Sequence, residues 1–243
     1  MDFFTFQTGH TSVRSFEEKP IAEELKQQLI IAAQSGSSSS FVQAYSIIEL
    51  QDREKINEIA QLSGGEYFIP KAGAFYIFVA DLHRDYLIAK ETNDNFEAFA
   101  SMESLLVGIV DATIAAQNMA LFAESQGLGI CYIGGIRNDI FRVAQLLNLP
   151  SHTVPLFGLT VGYPSKKNEV KPRLPQQVVL HIDSYQDNPD SIKEYDQTMS
   201  DYYSSRGSSA QNSSWRVKIQ ERFAKNTRQE VAQFLKQQGF NCS

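Results

Sequence analysis

Apolar positions along the chain alternate between helical and strand periods. After Pro20, the residues Leu25, Leu29, Ala32 and Ala33 share one helix face. The serine run at 37–40 breaks that period. Residues 44–50 then read as a strand, and Asp52 caps a helix that runs to about Leu62. Residues 74–80 are few, apolar and aromatic, the pattern of a buried central strand. The longest helical stretch, residues 96–126, ends at Gly127-Leu128-Gly129, a helix-stop signal. A short apolar run then leads through Cys131-Tyr132-Ile133 to Gly134-Gly135-Ile136-Arg137-Asn138, which reads as strand, glycine turn and new helix. That helix spans about 138–147, and residues 155–161 form a further strand. Residues 168–184 are extended and proline-rich. Helical stretches at 191–203 and 215–238 close the chain, separated by a serine-rich loop at 204–214 whose composition predicts mobility.

The 96–126 helix is apolar almost all round and rich in small residues: Gly108, Ala112, Ala115, Ala116, Ala120 and Ala123. Such a helix must be covered on every side, by a second subunit or by the core of its own chain. Asp111, Gln117 and Asn118 in its middle make membrane insertion costly, so a soluble buried helix is expected.

Composition narrows the class. At 243 residues, 42% hydrophobic and 21% charged, the chain suits one large α/β domain or two small ones. A net charge of −6 and the lack of any lysine or arginine run give no electrostatic reason to expect nucleic-acid binding. Cys131 and Cys242 match no disulfide framework and no metal spacing, which points to a reducing cytoplasm. Cys131 reads as a small buried thiol. The first residues lack a signal-peptide pattern. His10, His83, His152 and His181 show no paired-ligand spacing, so no metal site is expected.

The glycine turn is the most informative chemistry. Paired glycines remove two side chains and leave backbone N–H groups bare. A dinucleotide G-x-G-x-x-G starting at Gly127 would need glycine at 132, where Tyr132 stands. Upstream, His10, Thr11, Ser12 and Arg14 put hydroxyls and a guanidinium within five residues, a density suited to an oxyanion. If residues 171–173 are extended, as Pro172 encourages, Lys171 and Arg173 share one face. Taken alone, Lys171 and Arg173 read as solvated surface cations, and Ser38, Ser39 and Ser40 as an ordinary flexible loop.

These segments, with Asp111-Ala112, Ala115-Ala116-Gln117-Asn118, Ala123-Glu124-Ser125, Leu156-Phe157-Gly158 and Tyr202-Tyr203, resemble in order and spacing the oxygen-insensitive NADPH nitroreductase and NADPH–flavin oxidoreductase family. The resemblance covers nearly the whole chain. It implies an α+β fold, a nitroreductase-type mixed central sheet flanked by helices, in an intertwined homodimer whose subunits share the FMN sites. It implies one domain over 1–243, with 185–243 a C-terminal helical extension and a mobile NADPH loop at 204–214.

The resemblance also implies residue roles. Arg14, Lys171 and Arg173 converge on the FMN phosphate beside His10, Thr11 and Ser12. Ser38, Ser39, Ser40 and Phe41 lie beside the isoalloxazine ring, Glu66 near flavin N3–H, and Tyr132, Ile133, Gly134 and Gly135 near N5 and O4. Arg206 and Arg228 meet the 2′-phosphate of NADPH, with Lys225 in support. Two positions depart from the family: Thr11 where relatives usually carry arginine, and Glu66 where they tend to carry glutamine. A carboxylate at 66 accepts from N3–H but cannot donate to a ring carbonyl. The implied activity is ping-pong transfer from NADPH, with NADH possible, through FMN N5 to free flavins, nitroaromatics or quinones. A flavin-binding sensing or storage protein without turnover is the alternative.

Overall fold

The computed structural model describes residues 2–92 and 97–241. The expected helix start at Phe96, and Cys242, lie outside these residues. The chain divides into two compact units, Met1–Asn168 with Arg228–Ser243, and Glu169–Thr227. The expectation was one domain with an extension from 185; the division instead falls at 169, and the last helix belongs to the first unit.

In the first unit, β1 (Tyr45–Glu49), β2 (Ala74–Asp81), β3 (Gly129–Ile133) and β4 (Thr153–Gly162) form a sheet in the order β1-β2-β4-β3. Its helices, in chain order, are α1 (Phe3–Thr8), α2 (Glu23–Gln34), α3 (Arg53–Ser63), α4 (His83–Glu91), α5 (Met102–Ser125) and α6 (Ile140–Leu146). All described strand pairings are antiparallel, not mixed. The physical reason for the error is burial on both faces. Along β2, Phe75, Ile77 and Val79 face a core shared with Ile56, Ile59 and Ala60 of α3. Ala74, Tyr76 and Phe78 face another core, shared with Leu29 of α2 and Ala116 and Met119 of α5. Apolar residues on both faces give a continuous hydrophobic run whatever the strand direction. Each fully buried large side chain contributes roughly 1.5–3 kcal/mol.

Helix boundaries follow local chemistry. The Asp52 carboxylate accepts from Glu54 N–H and Lys55 N–H, the expected cap of α3. Ser101 caps α5, whose α-helical part starts at Met102, after a short 3-10 turn. Gly127 follows at φ +77, as the stop signal predicts. α6 starts at Ile140 rather than 138, because Asp139 accepts from Arg142 N–H as its cap. α1 and α4 were not foreseen, and neither buries a residue fully.

α5 is long and apolar enough to cross a membrane by length and composition alone. Here it is a core helix, with Leu105, Ala112, Ala115, Ala116, Met119, Ala120 and Ala123 buried. Its own chain does not cover it all round. Met102, Leu106 and Val110 form an exposed apolar stripe, the last two each 50% exposed.

In the second unit, α7 (Gln176–Val179) interrupts the segment expected to be extended, and α8 (Pro189–Ser204) and α9 (Trp215–Phe223) follow. Tyr195, Met199 and Tyr203 of α8 pack with Leu174 and Trp215. The single helix expected over 215–238 is two, α9 and α10 (Val231–Gln237). Arg228 lies between them at φ 60, a conformation that cannot continue a right-handed helix. α10 returns to the first unit, where the Phe234 ring meets Phe141 of α6 edge-on at 5.2 Å.

Candidate functional site

β3 runs into a 3-10 turn, Gly134–Asp139. Gly135 sits against the end of α3, where a Cβ would run into the Ser63 carbonyl, so only glycine fits. At Gly134 a Cβ would meet nothing nearer than Arg137 Nη2 at 3.4 Å and the Arg228 guanidinium nitrogens at 3.9 Å. The nearest neighbours of that face are side-chain atoms, not backbone: two guanidinium groups border it. Asn138 fixes one of them: its Nδ2 donates to the Leu62 carbonyl at 3.0 Å, and its Oδ1 accepts from Arg228 Nε at 3.1 Å. Arg137 donates to the Leu156 carbonyl. As the first residues of a helical turn, Gly134 and Gly135 carry N–H groups that the turn itself does not use.

The 10–14 segment is bound to the same strand. Val13 N–H donates to the Ile130 carbonyl at 2.8 Å. Gly129 makes room for this, since a Cβ there would come 2.5 Å from Val13 Cγ2. His10 Nδ1–H donates to Glu124 Oε1 of α5 at 2.7 Å, and Asn168 Nδ2 donates to the Ser12 carbonyl at 2.9 Å. Arg14 is exposed and stands beside the buried Cys131. Burial pushes the Cys131 thiol up, outweighing the pull of the Arg14 charge, so the thiol stays protonated at neutral pH. His10, Ser12, Arg14 and the 132–135 turn thus gather around one strand.

The serine loop is built on α5. Ser38 Oγ donates to Asp111 Oδ2 at 2.7 Å, Ser39 N–H to Oδ1 at 3.0 Å, and Ala44 N–H to Oδ2 at 3.1 Å. Ser38 Oγ in turn accepts from Gln43 N–H at 2.6 Å. Arg84 Nη2 donates to the carbonyls of Gln43 and Tyr45 at 3.1 and 2.7 Å. Between these anchors Ser40, Phe41 and Gln43 adopt left-handed φ of 47, 59 and 55. Phe41 is 80% exposed.

Within one chain this loop and the glycine turn occupy different sides of α5. Ile109 and Thr113 line a cavity of about 330 Å³ with Arg137, Leu156 and Val231. Asp111 is about 200° around the helix from each of those two residues, at 3.6 residues per turn. A larger cavity, about 430 Å³, lies along β1 among Ile30, Gln43, Tyr45 and Arg84.

The remaining expected residues are spread. Thr11 is half-buried next to His10, and Glu66 is exposed just beyond the Gly64 that ends α3. Lys171, Arg173, Arg206 and Lys225 belong to the second unit, with the Lys171 ammonium 5.9 Å from the Tyr203 ring and the Arg206 guanidinium 5.8 Å from the Tyr202 ring. Sequence reasoning missed the anchoring roles of Asp111 and Glu124. The available signal for Asp111 was a lone carboxylate inside an apolar helix, which must be hydrogen-bonded if buried.

With this geometry in place, known proteins with the same design are informative. Residues 8–163 match the nitroreductase family, and residues 171–243 match the C-terminal domain of the nitroreductase family. The chain is 41% identical over 238 residues to an FMN reductase (NADPH) of Bacillus subtilis strain 168, covering 96% of each chain. It is 38% identical over 233 residues to an oxygen-insensitive NADPH nitroreductase of Salmonella typhimurium, covering 96% of this chain and 95% of that one. The solved structure of the NfrA1 nitroreductase from B. subtilis superimposes with a TM-score of 0.95 at 40% identity over 100% of both chains. The chain belongs to the nitroreductase family.

Proposed function

We propose that this protein is an FMN-dependent NADPH oxidoreductase that delivers electrons to small flat acceptors: free flavins, nitroaromatics or quinones. The observation that carries this reading is the Gly134-Gly135 turn, bordered at Gly134 by the Arg137 and Arg228 guanidinium groups, beside the anchored 10–14 segment on one strand. A planar ring with a polar edge fits the first, and a terminal phosphate fits the donors of the second. Relatives named as NADPH-dependent flavin reductases and nitroreductases support it. No observation favours a sensing or storage role.

When bound, FMN would supply at N5 the atom that accepts and gives up hydride. The chain's residues supply binding and orientation. His10, Thr11, Ser12 and Arg14 take the phosphate; Lys171 and Arg173 are assigned to it on the resemblance. Backbone N–H groups at the end of β3 and the start of the glycine turn, residues 132–135 with Ile133 included, are assigned to the ring edge where negative charge gathers. Glu66 accepts from N3–H, and Ser38, Ser39, Ser40 and Phe41 wall the ring. Arg206 and Lys225 take the 2′-phosphate of NADPH, so NADH is the poorer donor. Arg228, also expected at that phosphate, stands at the turn itself and serves the incoming nucleotide there.

The reading includes a cytoplasmic homodimer. The apolar stripe of Met102, Leu106 and Val110 on α5 supports it, as do exposed Leu180, Ile182 and Tyr185 in the second unit. The position of the serine loop across α5 from the Arg137 cavity supports FMN sites shared between subunits. The test is whether NADPH bleaches a bound FMN and an acceptor restores its colour.

A further inference from the structure

Asp111 is 1% exposed in the middle of an apolar helix, yet the reading above gives it no contact with FMN or nucleotide. Its two oxygens accept three hydrogen bonds, all from one short stretch: Ser38 Oγ, Ser39 N–H and Ala44 N–H. Among the described residues no cation forms an ion pair with it. A buried carboxylate is costly unless its lone pairs are filled, so these donors cannot leave without stranding a charge. The carboxylate and the loop therefore hold each other.

What they hold is a strained shape. Ser40, Phe41 and Gln43 all bear side chains and all have positive φ, a combination that persists only where surrounding contacts enforce it. Asp111 clamps both sides of that stretch, at 38–39 and at 44, while Arg84 holds the carbonyls of Gln43 and Tyr45. The Ser38 hydroxyl, bonded to Asp111 and to Gln43 N–H, is committed to the interior of the loop. The loop's outward residues are Ser39, Ser40 and Phe41, all exposed.

We infer that Asp111 is a positioning residue for the flavin: its buried carboxylate sets the left-handed conformations of Ser40, Phe41 and Gln43 and so presents Ser39, Ser40 and Phe41 to the ring. This rests on the FMN reading and deepens it. A conformation fixed before the ligand arrives lowers the ordering cost of binding. Asparagine at 111 keeps the shape but replaces one acceptor oxygen with an N–H₂ group facing donors.

The experiment compares wild type, Asp111→Asn and Met119→Ala, the last a core truncation on the same helix at a residue given no contact with FMN. Apoprotein of each is titrated with FMN by flavin fluorescence, and the visible spectrum of the bound flavin is recorded alongside apoprotein Tm. Asp111→Asn is expected to weaken FMN binding roughly tenfold or more and to shift the flavin bands. Met119→Ala is expected to lower Tm while binding FMN as wild type does. Wild-type affinity and spectrum in Asp111→Asn, or an equal loss in Met119→Ala, overturns the positioning role while leaving the FMN reading intact. Failure of wild type to bind FMN overturns both, and is recognised by that. If Asp111→Asn does not fold, Ser38→Ala carries the same test, because it removes a loop anchor without stranding a charge, and the same outcomes decide.

Discussion

His10 and Glu124 are joined by a 2.7 Å hydrogen bond across 114 positions of sequence, fastening the 10–14 segment to α5. Both side chains are partly exposed, 33% and 18%, so the pair is worth at most about 1 kcal/mol. Its value is orientation: with Nδ1 occupied, the ring turns Nε2 outward. Glu124→Gln should weaken FMN binding up to about fivefold with little change in Tm. Fluorescence titration of the apoprotein measures it, and a large Tm loss with unchanged affinity would make the pair purely structural.

The α5 stripe predicts the assembly. Leu106→Glu introduces a charge at a half-exposed position, so the subunit keeps its fold but can no longer bury that face against a second copy. The expected result by analytical ultracentrifugation is a monomer with native circular dichroism and reduced FMN content. A stable dimer carrying full FMN would place the interface elsewhere. Ala116 is not such a probe, because it is buried inside its own subunit.

For nucleotide choice the two arginines should separate. Arg206→Ala is expected to raise the KM for NADPH by roughly 10-fold or more, a charge-assisted contact being worth about 1.5–3 kcal/mol, with the KM for NADH unchanged. Arg228→Ala should raise both, because its guanidinium rests at Gly134 rather than on a surface loop. Steady-state kinetics with both nucleotides decides; a selective NADPH effect in Arg228→Ala would return it to the 2′-phosphate.

Acid stability should depend on His152. Burial, then the charge of His83, lowers its pKa from the ordinary value. Its ring stacks on Tyr86 at 4.4 Å, faces Phe240, and buries an Nδ1 without a hydrogen-bond partner. Its backbone N–H also donates to the Gln238 carbonyl at 2.9 Å, tying in the C-terminal segment. Because the folded state disfavours the charged ring, its stabilising effect is full above the ordinary histidine pKa of about 6.5 and is lost as pH falls below it. His152→Asn, which tolerates the local φ of 61, should flatten the fall in urea midpoint between about pH 7 and pH 5. An unchanged slope would assign the acid response to other groups.

Much of this architecture was legible from one chain. Strands β1, β2 and β4, the Asp52-capped α3 and the Gly127 stop of α5 follow from periodicity and capping, which are local properties. Strand direction was not legible, because β2 is apolar on both faces. The break before α10 depends on Arg228 taking a left-handed conformation, which no propensity requires. At the site, the glycine turn and the 10–14 segment carry their chemistry in their own residues. The Asp111 clamp does not, since its donors lie 67 to 73 positions away.

The central claim is tested most directly by anaerobic addition of one equivalent of NADPH to the purified protein in a stopped-flow spectrophotometer, followed by an acceptor panel. The account predicts a bound flavin, identified as FMN after denaturation, whose visible absorbance bleaches with NADPH and returns on addition of a nitroaromatic, a quinone or free flavin. A protein that holds FAD, or an FMN whose absorbance NADPH leaves unchanged, would contradict it.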